Sequence, residues 1–317
     1  MASPILGLHH VTATVDDAQA DLDFCAVALG LRLVKKTVNF DNHHVFHFYY
    51  GDAHGTPGTL WTTFPYKGHG VPLGRKGAGQ VVVTSFSVPH GSLDAWTSRL
   101  RARGMMVADV APRFGDAGIA VSDASGLAFE LVAGDDPRTP WIAAGADAVD
   151  ASAAIRGLHS VTMAVRSPAQ TLALMTGLLG YTVIDEMEGR IRVAVNGTGA
   201  GHLIDIVHDE HAAPAMNGLG TVHHVAMAVA TDDEQLRLRD ELIRWGCRVT
   251  EVRDRCYFRS IYFREPGGVL FEAATMLPGF LVDEPLEDLG RGLKLPPWEE
   301  PHRVAIEAGL PRVDTHI

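Results

Sequence analysis

The sequence has few cysteines, few aromatic residues and no long hydrophobic run, and it carries more acidic than basic side chains. Its 317 residues include 3 cysteines, 7% aromatic residues, 27 Lys and Arg, and 38 Asp and Glu, which give a formal net charge of -11. Cys25, Cys247 and Cys256 lack the number and spacing of a disulfide framework or a zinc site, so we expect reduced thiols. The deficit of Lys and Arg argues against a nucleic-acid partner or an anionic membrane surface. A small molecule is therefore the expected partner.

The content of 46% hydrophobic and 21% charged residues is typical of a globular protein with one large or two ordinary domains. No stretch approaches the length of a membrane span, and residues 1–8 show neither a basic region nor the apolar run of a signal peptide. We therefore predict a cytoplasmic protein without a membrane partner. The composition is compatible with a homo-oligomer.

One unit recurs four times along the chain. Each copy begins with an alternating strand, continues into an amphipathic helix, leaves it through a glycine and ends in further strands. The glycines are Gly30, Gly104, Gly180 and Gly246, and glycine suits the left-handed position that ends a helix. The unit is a βαβββ module. We predict an α+β fold in which four such modules pair into two open, β-barrel-like cups.

The predicted boundaries follow from the repeat and from changes in composition. Modules one and two, over about 5–65 and 78–133, form an N-terminal domain of residues 1–135. Modules three and four, over about 155–209 and 219–276, form a C-terminal domain of residues 155–276. Residues 136–154, rich in Ala, Asp and Pro, are predicted to be a linker, and the Pro- and Glu-rich residues 277–317 a tail that wraps the surface.

Equivalent positions of the four modules differ in a way that indicates a metal site. One slot on the first strand holds, in module order, His10, Val83, Ser160 and His224. One slot on the last strand holds Thr62, Glu130, Asp205 and Glu272. If modules one and four share a cup, two imidazoles and one carboxylate meet there, with a threonine at the fourth corner. This set suits a divalent metal with open coordination positions, whereas modules two and three offer no imidazole.

Several neighbours of this set have a predicted role. A hairpin near Gly267 places Tyr262 across from Glu272 on the same face, where its phenol can hydrogen-bond a substrate oxygen. His9 and His223 are predicted to alternate to the opposite face from the ligands. Orienting the ligands and taking part in acid/base chemistry remain equally open roles for these two histidines.

Other polar residues favour a structural interpretation. His43, His44 and His47 lie in an aromatic strand that ends in a Gly-Asp turn, so a solvated or packing role is favoured over a second metal site. Glu130 occupies the slot of Glu272 without histidine partners. We interpret it as a hydrogen-bonding residue or a remnant of the repeat.

Several segments together carry a resemblance to a known family. They are residues 7–12, 34–41, 49–52, 57–59, 260–272 and 278–280. With its four βαβββ modules and its strand-borne His and Glu residues, the chain resembles the vicinal oxygen chelate superfamily, which includes glyoxalase I, extradiol dioxygenases and bleomycin-resistance proteins. Within it, the chain is similar over nearly its whole length to the ring-cleaving dioxygenases that open hydroquinones.

The resemblance implies an enzyme that opens a small aromatic diol by inserting both atoms of O2, with a para-hydroquinone as the leading candidate substrate. It implies Fe(II) as the metal, with Mn(II) as a substitute, held by His10, His224 and Glu272. The residues that it places around the substrate as catalytic groups are Tyr262, His9, His223, Arg255 and Thr12.

Two other functions remain as alternatives. The first is a redox-neutral glyoxalase, lyase or thiol transferase that uses another divalent metal, because one scaffold can host several chemistries. Thr62 argues against this alternative, since a carboxylate as fourth ligand in the slot of Thr62 would favour Lewis-acid chemistry. The second is a protein that only sequesters a flat aromatic compound, which would not need two histidines and a glutamate.

Overall fold

A computed structural model describes residues 3–145 and 148–315 of the chain, so residues 146 and 147 of the predicted linker lie outside it. It confirms the four βαβββ modules. Module one consists of β1 (Gly7–Val15), α1 (Ala18–Leu22), β2 (Arg32–Asn39), β3 (Asn42–Gly51) and β4 (Leu60–Pro65). Module two consists of β5 (Gln80–Val88), α2 (Leu93–Ala102), β6 (Val107–Arg113), β7 (Asp116–Ser122) and β8 (Ala128–Ala133).

The second half of the chain repeats this order. Module three consists of β9 (Gly157–Val165), α3 (Ala169–Gly177), β10 (Thr182–Met187), β11 (Arg190–Ala194) and β12 (Leu203–His208). Module four consists of β13 (Thr221–Val229), α4 (Asp232–Trp245), β14 (Arg253–Asp254), β15 (Arg259–Arg264) and β16 (Leu270–Thr275). The four glycines predicted to follow the helices all have positive φ, between 71° and 107°, as a left-handed helix end requires.

Two eight-stranded sheets result, and each combines modules from opposite halves of the chain. Their strand orders are β14-β15-β16-β13-β1-β4-β3-β2 and β10-β11-β12-β9-β5-β8-β7-β6. Modules one and four therefore share one cup, as predicted, and modules two and three share the other. The predicted domains of residues 1–135 and 155–276 describe the order of the modules along the chain. As a division into structural units, these domains stay a prediction, because each hydrogen-bonded sheet contains strands from both ranges.

The centre of the first sheet is fully buried. All nine residues of β1 are buried, including the polar residues His9, His10 and Thr12. Val11, Ala13 and Val15 belong to the apolar core, whereas the polar side chains require partners of their own because burial removes them from water. The first sheet therefore carries a buried polar group at its centre.

The helix of module one departs from the regular pattern. After α1 the chain continues through Asp23–Ala28 as a wider, π-helical turn. The guanidinium of Arg99, from α2, donates hydrogen bonds to the carbonyls of Val27 and Ala28 at the end of this turn. The contact comes from another module, so the periodicity of module one alone could not predict it.

The tail has more structure than its composition predicts. Among the described residues it contains α5 (Arg303–Gly309) and several short 3-10 turns. The amide of Lys294 donates to the carbonyl of Lys36, so the tail pairs with β2 at the edge of the first sheet. Covering an exposed strand edge in this way blocks association with other chains. Within the described residues, no helix is long and apolar enough to cross a membrane.

Candidate metal centre

The two histidines and the glutamate singled out by the repeat meet at the centre of the first sheet. His10 lies on β1, His224 on the antiparallel neighbour β13, and Glu272 on β16, which runs parallel to β13. His10 Nε2 lies 3.3 Å from His224 Nε2 and 3.3 Å from Glu272 Oε2, and His224 Nε2 lies 2.8 Å from Glu272 Oε2. The three side chains are almost completely buried, with exposed fractions of 2%, 6% and 0%.

The geometry of these atoms fits a divalent ion. Atoms that bind one ion at right angles and at about 2.1 Å lie roughly 3 Å from one another. The buried Glu272 Oε2 makes no hydrogen bond of acceptable geometry with the described residues, whereas Oε1 accepts a hydrogen bond from the hydroxyl of Ser260. Within residues 3–145 and 148–315, this is the one group of three such side chains whose ligand atoms lie within 4.8 Å.

The electrostatics of the group favour the protonation states that bind a metal. Burial alone would raise the pKa of Glu272, but the adjacent imidazoles of His10 and His224 outweigh it and hold the pKa well below its usual value. Burial lowers the pKa of His224. An ionised carboxylate beside a neutral imidazole is the form in which both side chains act as metal ligands.

His9 and His223 do not alternate to the opposite face, and this prediction was wrong. The pairing of β1 with β13 shifts by one residue at each of them, so both occupy β-bulges. A bulge adds one unpaired residue to a strand and rotates the side chains around it. As a result His9 Nδ1 lies 2.9 Å from His10 Nδ1, and His223 Nδ1 lies 2.8 Å from His224 Nδ1.

These contacts assign different roles to the two bulged histidines. If His10 binds a metal through Nε2, its Nδ1 carries the proton and donates to His9 Nδ1. His9 then carries its proton on Nε2, which lies 3.3 Å from the carbonyl oxygen of Thr275. Burial lowers the pKa of His9 to about 3, so the ring stays neutral. His9 is thus placed to orient the His10 ring through Nδ1, the nitrogen that does not bind the metal.

His223 instead faces a cavity. It accepts from His224 Nδ1–H by the same reasoning, and its remaining nitrogen, Nε2, has no hydrogen-bond partner among the described residues. Its ring lines a cavity of about 260 Å³ beside the ligand group. Burial lowers the pKa of His223 to about 3, so the ring is neutral. Because Nδ1 accepts from His224, the proton of the neutral ring lies on Nε2.

The other predicted site residues line the same cavity. Tyr262 pairs with Glu272 across the hairpin, as predicted, and its ring centroid lies 5.6 Å from that of His224. Arg255 Nε donates to the Tyr262 hydroxyl at 3.1 Å, and another guanidinium nitrogen lies 3.0 Å from Asp41. Thr12 lies 2.8 Å, oxygen to oxygen, from the hydroxyl of Thr62.

Burial raises the pKa of Tyr262, so the hydroxyl stays protonated. Burial alone would lower the pKa of the Arg255 guanidinium, but Tyr262 and Asp41 outweigh it and raise the pKa. The cavity thus presents a phenol fixed by a permanent cation.

Reasoning from the sequence missed part of the cavity wall. His47 lies in it rather than with His43 and His44, and so do the aromatic side chains of Tyr49, Phe64 and Phe258. The rest of the lining that was not predicted is Thr14, Asn39, Phe40, Asp41 and Tyr66. A signal for His47 was present in the repeat, because it lies two residues before Tyr49 as Ser260 lies two residues before Tyr262.

The second cup holds an ion-paired network at the equivalent place. Glu130 accepts hydrogen bonds from Arg113 and from Ser85. Asp205 Oδ1 lies 2.7 Å from Arg192 Nε, and Asp205 Oδ2 lies 2.9 Å from Arg190. The carboxylates of the second cup therefore neutralise guanidinium groups. Of the two interpretations of Glu130, the structure supports that of a hydrogen-bonding residue.

Comparison with known proteins agrees with this architecture. Residues 7–131 and 157–273 match the Glyoxalase/Bleomycin resistance protein/Dioxygenase superfamily. The chain is 40% identical to the candidate ring-cleaving dioxygenase MhqE of Bacillus subtilis (strain 168), over 97% of this chain and 99% of that protein. It is 36% identical to the chlorohydroquinone/hydroquinone 1,2-dioxygenase of Sphingobium indicum, over 93% and 92% of the two chains.

A solved structure shows the same fold at close similarity. The crystal structure of a candidate dioxygenase from Bacillus subtilis subsp. subtilis str. 168 superposes with a TM-score of 0.93 and 38% identity, over 99% of each chain. The similarity therefore extends over both cups.

Proposed function

The chain belongs to the Glyoxalase/Bleomycin resistance protein/Dioxygenase superfamily, and we propose that it is a ring-cleaving dioxygenase that acts on a dihydroxylated aromatic, with a para-hydroquinone as the leading substrate. The observation that carries the proposal is the incomplete ligand set of the first cup. His10, His224 and Glu272 converge, while the fourth corner holds Thr62, whose hydroxyl is bonded to Thr12 and His47. Two imidazoles and one carboxylate with open positions are typical of non-haem Fe(II) oxygenases.

His10, His224 and Glu272 would hold the ion, and Fe(II), with Mn(II) as a substitute, would supply the electron-transfer chemistry that lets dioxygen react with an electron-rich ring. The protein's own residues bind and orient the ring. Phe64, Phe258 and Tyr49 provide flat apolar walls against which an aromatic ring can pack.

Two polar side chains of the cavity are placed to handle protons. Tyr262 accepts from Arg255 and keeps its own proton for a hydrogen bond to a substrate oxygen. His223 presents Nε2–H to the cavity while Nδ1 is held by His224. Both donors are held by neighbouring side chains before a substrate binds, and such preorganised donors stabilise charge that develops on oxygen during the reaction.

The test is oxygen uptake by protein loaded with Fe(II) under anaerobic conditions and then exposed to air with hydroquinones or catechols. We expect consumption of one O2 per ring opened, and both atoms of ¹⁸O2 in the product. Absence of uptake with every diol would contradict the proposal. Full activity under nitrogen with another divalent metal would establish the redox-neutral alternative. Aromatic binding that is undiminished in His224→Ala, in a protein that binds no metal, would establish sequestration.

Replacing Tyr262 by phenylalanine is expected to leave the metal in place and to lower kcat/KM by about 100-fold, because one preorganised donor is lost. Metal analysis and steady-state kinetics check this. Tyr181→Phe is the matched control: Tyr181 is also buried, but its hydroxyl has no partner among the described residues. Unchanged kinetics in Tyr262→Phe would exclude Tyr262 from the reaction.

A further inference from the structure

His47 is held rigidly at the wall of the cavity. Its Nε2 lies 2.9 Å from Thr62 Oγ1. Its ring packs at a tilt against two aromatic neighbours, with centroids 4.0 Å from Tyr49 and 4.3 Å from Phe64. These contacts fix both the position and the tilt of the imidazole.

The repeat shows what is unusual about this position. Tyr49 pairs with Thr62 as Tyr262 pairs with Glu272, so His47 on β3 is the equivalent of Ser260 on β15. Ser260 supports the ligand carboxylate with a hydroxyl. Module one has no ligand in that slot, and yet it carries the larger imidazole there.

The free nitrogen of His47, Nδ1, is suited to form a hydrogen bond with a hydroxyl group. Nδ1 has no hydrogen-bond partner among the described residues, and the side chain is only partly buried where it meets the cavity. Burial lowers the pKa of His47 well below its usual value, so the ring is neutral. A neutral imidazole donates from one nitrogen and accepts at the other. A hydroxyl suits either tautomer because it both donates and accepts.

His47 and the ligand carboxylate lie on opposite sides of the cup. In the sheet order, β3 and β16 are separated by β4, β1 and β13. With strands about 4.8 Å apart, this separation is about 19 Å along the sheet. Because the sheet curls, the His47 ring and the ligand histidines nevertheless line one cavity of about 260 Å³. A ring bound through one hydroxyl near Glu272 therefore directs its far side toward module one.

We propose that His47 binds the second ring hydroxyl, the one on the far side from the ligand group, and thereby selects diols whose hydroxyls lie across the ring. The inference rests on the proposed function, since it assumes that an aromatic diol occupies this cavity. It assigns to His47 a role in specificity that its neighbours Phe64 and Phe258 cannot have, because they offer no hydrogen bond.

Equilibrium binding under anaerobic conditions tests this without turnover. The Fe(II)-loaded protein is titrated with hydroquinone and with phenol, which lacks the second hydroxyl. We expect the wild type to prefer hydroquinone by about tenfold, the typical effect of one hydrogen bond. In His47→Phe, which keeps the ring packing, the preference should fall to about one while the affinity for phenol changes little.

Two further variants make the result decisive. His47→Gln retains a group that can reach Thr62 but offers none at the place of Nδ1, so it should also lose the preference. His44→Gln, on the exposed part of the same strand, should retain it. A preference that persists in His47→Phe and His47→Gln, or an equal loss of affinity for both compounds, would overturn the inference. Failure of oxygen uptake by the wild type would contradict the proposed function separately, because the binding measurement does not depend on it.

Discussion

Replacing Glu272 by glutamine is expected to leave the purified protein without tightly bound metal and to abolish oxygen uptake. The carboxylate supplies the only negative charge among the three candidate ligands, and the amide of glutamine cannot replace it. Loss of a residue that merely supports a ligand already lowers metal affinity 10–100-fold, so loss of the ligand is expected to cost more than about 100-fold. Metal analysis after dialysis measures the effect directly.

The second cup provides a matched control for this substitution. Glu130 occupies the slot of Glu272 in module two, and its carboxylate is paired with Arg113 rather than with imidazoles. Glu130→Gln should therefore retain full metal occupancy and activity. Normal iron content in Glu272→Gln would disprove the ligand assignment, whatever its effect on turnover.

Much of the fold could be predicted because the repeat is an internal alignment. The equivalent glycines established the helix ends, and the slots of His10 and His224 established which modules meet. The observed register supports the same slots: Thr12 pairs with Thr62 as Ala226 pairs with Glu272, and each histidine lies two residues earlier. Long-range pairing could be predicted here because its chemical consequence, a group of two histidines and one glutamate, is visible in the sequence.

The bulges at His9 and His223 could not be predicted in this way. A bulge is a property of two paired strands, since it exists only relative to the register of the partner. A single strand that alternates perfectly gives no sign of it. The second sheet shifts register at the corresponding residues of β5 and β9, so the bulge is a feature of the module pair.

The position of His47 in the cavity wall and the local structure of the tail were not predicted, for a related reason. The role of His47 depends on Thr62 and Phe64 of the adjacent strand, which its own sequence neighbourhood does not contain. The structure of the tail depends on contacts with β2, at the opposite end of the chain. Local composition predicts neither, because both are determined by tertiary contacts.

The second large effect is expected from the tail's anchor, Lys35. This β2 side chain has no exposed surface, and its ammonium contacts Glu284, Asp283 at 2.5 Å and the carbonyl of Phe280 at 3.2 Å. The ring of Phe280 lies 5.0 Å from that of Tyr49, which lines the cavity. The ion pair therefore holds the tail against Tyr49, which forms part of the wall of the proposed active site.

Lys35→Met is expected to lower the free energy of unfolding by about 3–5 kcal/mol, because it leaves the carboxylate of Glu284 buried without its main counter-charge. Chemical denaturation measures this value. Lys36→Met is the matched control: the side chain is partly exposed and interacts with Glu284 only at longer range, so a change of about 1 kcal/mol or less is expected.

A second substitution distinguishes the loss of a charge partner from the loss of packing. If the cost of Lys35→Met comes from an uncompensated carboxylate, adding Glu284→Gln should recover part of it, and the double variant should be more stable than Lys35→Met alone. Adjacent charges typically couple by about 0.5–3 kcal/mol in such a cycle. Strictly additive effects would show that the cost comes from contacts other than the pair with Glu284, such as the contact of the ammonium with the ring of Tyr257, 5.0 Å from its centroid. Because Phe280 stacks on Tyr257, the tail would then be held through its contacts with this ring.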